Sequence, residues 1–291
     1  MSDAFFKLGA DRPIARIGFG SMSLPAWPAG RQPDRDTAIA VLRKTVDLGV
    51  NHIDTAAFYA RAGVRANELI RAALHPYPDD LLLATKVGPR FDTDGVTPLA
   101  PAGPTELRAE VQRNLTELGT DHIGLVNLRL GGVDGLWDGP VAESFAALAE
   151  LRAEGLIGHL GLSNVTASVL AEAQRVAPVA SVQNLYNIAS RSDDPLVDSC
   201  AEQGIGYVPF CPLGGLFDPS LLSHEVLGTV AARHGCGPAQ VALAWLLARS
   251  PSILLIPGTA NPAHLEQNLA ARNLRLSEQD MTELASIGGT S

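Results

Sequence analysis

The sequence is poor in cysteine and lysine, and several familiar patterns are missing from it. Three cysteines (Cys200, Cys211 and Cys236) in 291 residues, with no Cys-x-x-Cys, exclude a disulfide framework or thiolate zinc cage and point to a reducing cytoplasm. The seven histidines contain no His-x-His or His-Glu-x-x-His pair, so no histidine-based metal centre is expected. The longest purely apolar run, Val241 to Ala248, is far short of the ~20 residues that span a bilayer. No charged segment followed by an apolar one opens the chain, which argues against a secretory leader. No basic run occurs and the formal charge is −9, so neither a nucleic acid nor a membrane is an expected partner. No Gly-x-Gly-x-x-Gly turn follows an early strand, which weighs against a doubly wound dinucleotide fold.

What is present is an alternation of short apolar runs with longer amphipathic ones. Eight strands are expected: Ala15–Gly18, His52–Asp54, Leu81–Lys86, Ile123–Leu128, His159–Ser163, Ser181–Leu185, Gly206–Pro209 and Ile253–Pro257. Helical patterns lie between them. In the first, Ala38, Val41, Leu42, Thr45 and Leu48 recur at three/four spacing and form one buried stripe. Pro104 suits a first helical turn, Asn261 before Pro262 an N-cap, and Gly49 and Gly119 left-handed C-caps. This βα alternation over 291 residues predicts an α/β protein, a (β/α)8 TIM barrel forming a single domain over 1–291. Three long segments that follow strands, Val87–Gly103, Arg129–Pro140 and Leu213–Ser223, would then sit on the C-terminal face, where barrel active sites are built.

Some strand ends carry polar groups that packing does not require. The second strand ends in Asp54, with Tyr59 five residues on, and the third ends in Lys86. Only three of the 22 Lys+Arg residues are lysines, which makes an ammonium at the end of a buried strand a specific choice. A free tyrosine, with a pKa of ~10, is a poor acid at neutral pH. A nearby ammonium favours the phenolate and lowers that value, while a carboxylate fixes the ammonium and keeps it charged. Such a trio can protonate a carbonyl oxygen as hydride reaches the carbon. A buried Asp–Lys ion pair beside a solvent-capped tyrosine has the same signature.

The chain resembles the aldo-keto reductases over Ile17 to Asn268. The resemblance rests on the order and spacing of Gly-Phe-Gly-Ser-Met (18–22), Gly49 to Tyr59, Ala84 to Gly88, Gly158 to Asn164, Val182 to Asn187, Pro209 to Gly214 and Ile256 to Thr259. It implies a (β/α)8 barrel that reduces aldehydes and ketones with NAD(P)H. It further implies Tyr59 as proton donor with Lys86 and Asp54 in support. The fourth position of the family is usually a histidine at the end of strand four, where this chain has Arg129. Arginine stays protonated and cannot shuttle a proton, but it can polarise a carbonyl or hold an anionic oxygen. Pairing with a loop carboxylate is the bland alternative.

The resemblance also implies a cofactor shell. Ser163, Asn164 and Gln183 would hold the nicotinamide carboxamide, which needs donors and acceptors that Asn and Gln both supply. Phe210 stands where the family usually stacks a tyrosine on the nicotinamide. Gly20, Ser21, Met22, Asp54 and Ile256 belong to the same shell. Cys211, Pro212, Leu213, Gly214 and Gly215 would follow the pyrophosphate, and Gly258 and Thr259 open the last βα helix, whose N-terminus attracts phosphate. His264, Gln267 and Asn268 complete the shell, but this stretch lacks the basic side chain common in the family. NADPH is the expected cofactor, with NADH not excluded.

Asn127-Leu128-Arg129, Leu162 to Thr166, Gln183 to Ile188 and Ile253 to Thr259 together look most like a bacterial branch that includes pyridoxal reductases. Pyridoxal, with its aldehyde beside an ionisable hydroxyl, is the favoured substrate, and a small-molecule carbonyl the expected partner. The chain stops soon after Ser286, so a long C-terminal substrate loop is not expected. A monomer is compatible with the sequence, which does not define the oligomeric state. Two other readings are a noncatalytic redox-sensing cofactor-binding subunit and a Schiff-base lyase with Lys86 as nucleophile, which needs a neutral lysine.

Overall fold

The computed structural model describes residues 4–91, 99–132 and 135–288, so residues 92–98 and 133–134 of two expected functional loops lie outside the described residues. The strands in chain order are β1 (Phe5–Leu8), β2 (Arg12–Ala15), β3 (Phe19–Gly20), β4 (His52–Asp54), β5 (Ala60–Arg61), β6 (Val64–Arg65), β7 (Leu82–Val87), β8 (Ile123–Arg129), β9 (Ile157–Ser163), β10 (Ser181–Gln183) and β11 (Gly206–Tyr207). The helices are α1 (Arg35–Asp47), α2 (Ala66–Leu74), α3 (Pro104–Leu118), α4 (Ala142–Ala153), α5 (Ala167–Gln174), α6 (Asp194–Gln203), α7 (Glu225–Arg233), α8 (Pro238–Arg249), α9 (Pro262–Ala270) and α10 (Glu278–Ala285). Helix ends follow local chemistry. Gly119 has φ +70 at the end of α3, and the Asn261 side chain accepts from the Ala263 N–H at 2.9 Å to start α9.

Seven strands form one sheet in the order β3–β4–β7–β8–β9–β10–β11, every pair parallel. The segment around Ile253–Leu255 closes it into a cylinder: Tyr207 bridges Ile253 on one side and Ile17 bridges Leu255 on the other, both parallel. The buried Arg16 clasps this seam by donating to the carbonyls of Ile253 (3.2 Å), Ser250 (2.5 Å) and Leu247 (2.8 Å). The fold is therefore the expected (β/α)8 barrel.

The first expected strand is placed differently. Ala15 ends β2, and the barrel strand proper begins with the Ile17 bridge and continues as β3. The antiparallel hairpin β1–β2 was not expected. It packs Leu8 and Ile14 against Leu82, Ala84, Leu125, Ala180, Val208 and Leu254, plugging the N-terminal end of the barrel. Full burial of each such side chain stabilises by about 2 kcal/mol.

Above that apolar plug the interior turns polar. The Ser181 hydroxyl donates to Asn127 Oδ1 at 2.9 Å, and His52 is buried beside Gly18. A Cβ at Gly18 would lie 2.1 Å from the imidazole Nε2, so only glycine leaves room for the ring. Among the described residues neither ring nitrogen of His52 has a hydrogen-bond partner, and burial pushes its pKa down to about 4. An unfolded imidazole titrates near 6.5. The stability this neutral ring contributes is present above that value and is lost as pH falls toward 4. Between pH 7 and pH 4.5 the wild type is expected to lose about 2 kcal/mol more than His52→Met, measured by urea unfolding. Equal losses in the two proteins would dissociate acid sensitivity from His52.

Candidate active site

Strands β4, β7, β8, β9 and β10 end together at the C-terminal mouth of the barrel. Alternation along the strands puts Asp54, Lys86, Arg129, Ser163 and Gln183 on one face of the sheet, with Ser163 in register with both Arg129 and Gln183. Lys86 Nζ donates to Asp54 Oδ1 at 2.5 Å and to the Thr55 carbonyl at 3.1 Å. Gln183 Nε2 donates to Asp54 Oδ2 at 2.9 Å. Both carboxylate oxygens are thus engaged, and the ion pair is almost fully withdrawn from water, its side chains 2% and 4% exposed.

Tyr59 closes the trio. Its ring centroid lies 5.0 Å from Lys86 Nζ, and the side chain is buried. Burial alone would lower the Lys86 pKa, but the charge of Asp54 and contacts with Asp54 and Tyr59 outweigh it and hold the amine above its ordinary value. The lysine is therefore an ammonium, without the free lone pair a Schiff-base nucleophile requires. For Tyr59 the balance differs from the sequence expectation. Burial raises its pKa by more than the Lys86 and Arg129 charges lower it, and Asp54 adds to the rise. The phenol thus rests in its protonated form, as an acid must, beside a cation that stabilises the phenolate left after proton transfer.

An aromatic wall that sequence reasoning missed stands over this phenol. Trp27 lies 5.3 Å from Tyr59, 5.5 Å from Phe58 and 5.9 Å from Phe91, centroid to centroid. Trp27 comes from the segment after β3, and Met22 packs beside it on the Ala56–Tyr59–Ala66 cluster. The nearest sequence signal was Trp27 set in a Pro/Ala-rich stretch just after the Gly-Phe-Gly-Ser-Met motif.

Arg129 reaches the same mouth from β8. Its guanidinium carbon lies 5.3 Å from the Phe210 ring centroid, and it acts electrostatically on Tyr59, Cys211 and Asp54. Burial lowers its pKa, though an arginine stays protonated under such a shift. Among the described residues no carboxylate lies within ion-pair distance of it, so the loop-carboxylate alternative finds no partner there.

The residues expected around a cofactor lie at or after strand ends and on the last βα unit. Ser163 Oγ and Gln183 Oε1 are buried without hydrogen-bond partners among the described residues, one able to donate and the other to accept. A carboxamide needs that pair of functions, so the residues fit one. Asn164 Nδ2 donates to the Gly132 and Gly135 carbonyls, binding the loop after β8, and among the described residues Oδ1 has no hydrogen-bond partner. Gly20 and Gly258 meet backbone to backbone, since a Cβ on Gly258 would lie 2.4 Å from the Gly20 carbonyl oxygen. Ser21 Oγ is a further buried, unpartnered hydroxyl beside them. Ile256 is half-buried on the same seam. Beyond β11, Cys211 (φ +51), Gly214 (φ +84) and Gly215 (φ +55) give the segment through Pro212 and Leu213 its tight left-handed path. On the last βα unit Thr259 Oγ1 accepts from the Asn261 N–H at 3.0 Å, Asn268 is buried, and His264 and Gln267 are exposed on α9.

A parallel barrel with a buried carboxylate–ammonium–phenol trio and, on neighbouring strand ends, an orphan donor and an orphan acceptor has the parts of a nicotinamide-dependent oxidoreductase. The aldo/keto reductase family model matches residues 16–288, and the chain belongs to that family. Over 291 residues it is 48% identical to a pyridoxine 4-dehydrogenase of Escherichia coli, covering 99% of each chain. It is 36% identical to an uncharacterized oxidoreductase of Schizosaccharomyces pombe, covering 97% of this chain and 89% of the other. A crystal structure of an aldo-keto reductase from Klebsiella pneumoniae in complex with NADPH superposes with a TM-score of 0.83 at 29% identity, covering 99% of this chain and 95% of that one. Among the described residues no helix is long and apolar enough to cross a membrane, and no group of three or more His, Cys, Asp or Glu could hold a metal ion.

Proposed function

We propose that the protein is an NADPH-dependent carbonyl reductase that converts pyridoxal to pyridoxine, its 291 residues working as one barrel domain. The observation that carries the reading is the dry Asp54–Lys86 pair beside Tyr59, with Ser163 Oγ and Gln183 Oε1 left unpartnered around it. When bound, the reduced nicotinamide supplies hydride to the carbonyl carbon. Ser163 would donate to its carboxamide oxygen, while Gln183 Oε1 and Asn164 Oδ1 would accept from the amide. Gly20, Ser21, Met22, Ile256 and Phe210 would flank the ring. Cys211 through Gly215 and Gly258–Thr259 would take the pyrophosphate, with His264, Gln267 and Asn268 toward the adenosine.

The chain's own chemistry follows from the trio. Tyr59 donates its phenolic proton to the substrate oxygen. Lys86 stabilises the phenolate that remains, and Asp54, held by Gln183, keeps the ammonium in place. Trp27, Phe58 and Phe91 shield the phenol from water, which strengthens these charge interactions.

Arg129 supports the choice of substrate. Pyridoxal carries an ionisable oxygen next to its aldehyde, and a permanent cation with no carboxylate partner among the described residues suits that oxygen. The Escherichia coli relative's name also supports it, since oxidising pyridoxine at its 4-carbinol gives pyridoxal. A charge-assisted hydrogen bond is worth about 1.5–3 kcal/mol. Arg129→His is therefore expected to lower kcat/KM for pyridoxal at least about tenfold more than for an aromatic aldehyde without the hydroxyl. Equal losses on both substrates would remove Arg129 from pyridoxal recognition. Running the assay with both coenzymes tests the cofactor, and a clear preference for NADH would reverse that assignment. The three cysteines are all free, which suits a reducing compartment, and we assign the cytoplasm. This reading requires no partner beyond the carbonyl substrate and coenzyme.

A further inference from the structure

Behind the trio, between the barrel wall and helices α2 and α3, lies a polar network sealed from water. Thr55, Asn67, Thr85 and Asn114 are each 0% exposed. The Thr55 hydroxyl donates to Asn67 Oδ1 at 2.8 Å, and the Thr85 hydroxyl to Asn114 Oδ1 at 2.6 Å. Asn67 Nδ2 joins the two halves by donating to Asn114 Oδ1 at 3.1 Å and to Glu117 Oε2 at 3.0 Å. Asn114 Nδ2 donates to the Glu110 carbonyl at 2.9 Å. Glu117 is gripped in turn by Arg113 at 2.9 Å, and Arg113 also donates to the Ala57 carbonyl at 3.2 Å.

These contacts fall on particular residues. Thr55 follows Asp54, and its carbonyl accepts from Lys86; Thr85 precedes Lys86; Ala57 lies midway between Asp54 and Tyr59. Sealing four polar side chains behind two strands costs desolvation that an apolar packing would avoid, so stability is a poor reason for the arrangement. What it supplies is direction. Each hydroxyl has one acceptor at a fixed distance, and both acceptors hang on one asparagine pair.

We propose that Thr85, Thr55, Asn67 and Asn114 are positioning residues that set the separation between Lys86 and Tyr59, with Glu117 and Arg113 extending the grip to the Tyr59 loop. The proposal rests on the assignment of Tyr59 as proton donor. Loosening the clamp lets the phenol move away from the ammonium, which weakens it as an acid and moves the alkaline fall of activity to higher pH. A displacement of the order of 1 Å is enough to cost rate, because proton transfer needs hydrogen-bond contact.

The test is the pH profile of pyridoxal reduction in Thr85→Val and Thr85→Ser, with Tyr59→Phe alongside. Valine keeps the shape and removes the hydroxyl; Asn114 keeps its bond from Asn67, so the fold is expected to hold. Thr85→Val is expected to lower kcat about tenfold with KM for NADPH unchanged. Its alkaline limb is expected to rise by about one pH unit. Thr85→Ser is expected to restore both. A Thr85→Val enzyme with lowered Tm but wild-type kcat and pH profile overturns the clamp, as does a Thr85→Ser enzyme that fails to recover. Tyr59→Phe separates the two failures: if that variant stays fully active, the donor assignment falls, whereas if it is dead while Thr85→Val is silent, only the clamp falls.

Discussion

Tyr59→Phe is expected to lower kcat/KM for carbonyl reduction about 10³-fold while leaving NADPH binding intact. Removing a positioned general acid typically costs a factor of ~10²–10⁴, and the lower end does not apply here because little water can reach the substrate oxygen to replace it. The phenol is buried under Trp27 and Phe58, and phenylalanine fills the same aromatic slot, so the wall and the Asp54–Lys86 pair should stay in place. The pH profile adds a second readout. Burial raises the Tyr59 pKa and the Lys86 charge pulls it back. Wild-type reduction should fall as pH rises through that pKa, because the donor proton is lost. The residual rate of Tyr59→Phe should show no such fall. Coenzyme binding by fluorescence together with steady-state rates across pH makes the measurement. Near-normal turnover by the phenylalanine variant, with the alkaline limb retained, would place the donor elsewhere.

The barrel and the trio were legible in the sequence because each rests on local chemistry. Alternating βα patterns set the strand and helix positions, and Pro104, Gly119 and Asn261 act through backbone geometry within a turn. Asp54, Lys86 and Arg129 stand at the ends of parallel strands on the same side of the alternation, two residues further along at each successive strand, and the Lys86–Asp54 hydrogen bond joins the first two. What was not legible depends on contacts from far along the chain. The β1–β2 hairpin reads as surface because only Leu8 and Ile14 are fully buried there, and their pocket is made by strands far downstream. The acidity of Tyr59 could be argued from its ammonium neighbour, but the larger influence is burial under Trp27, Phe58 and Phe91, which no spacing announces. Asn164 could be named, but not that its N–H donors serve the loop after β8, since that needs the path of Gly132 and Gly135.

Lys86→Met carries the other large effect, and it separates catalysis from stability. Methionine matches the length of the lysine stem but leaves Asp54 as a buried carboxylate whose remaining side-chain partner is Gln183. Breaking a buried pair on one side costs about 3–5 kcal/mol, so the variant is expected to melt well below the wild type. The rate of reduction is expected to fall by about 10³, since the phenolate formed from Tyr59 loses its counter-charge. Adding Asp54→Asn removes the stranded charge, and an uncharged buried pair is often as stable as the ion pair it replaces. The double variant should therefore regain most of the lost Tm, measured by calorimetry, and remain inactive. The pH dependence has a definite sign. The folded-state Lys86 pKa is raised, so the pair's contribution to stability is fully present below the unfolded value of ~10.4 and is lost only as pH climbs through the folded one. A double variant that recovers both stability and turnover would reduce the Asp54–Lys86 pair to a packing element. Recovery of stability alone leaves the ammonium as the group that lets a buried tyrosine work as an acid.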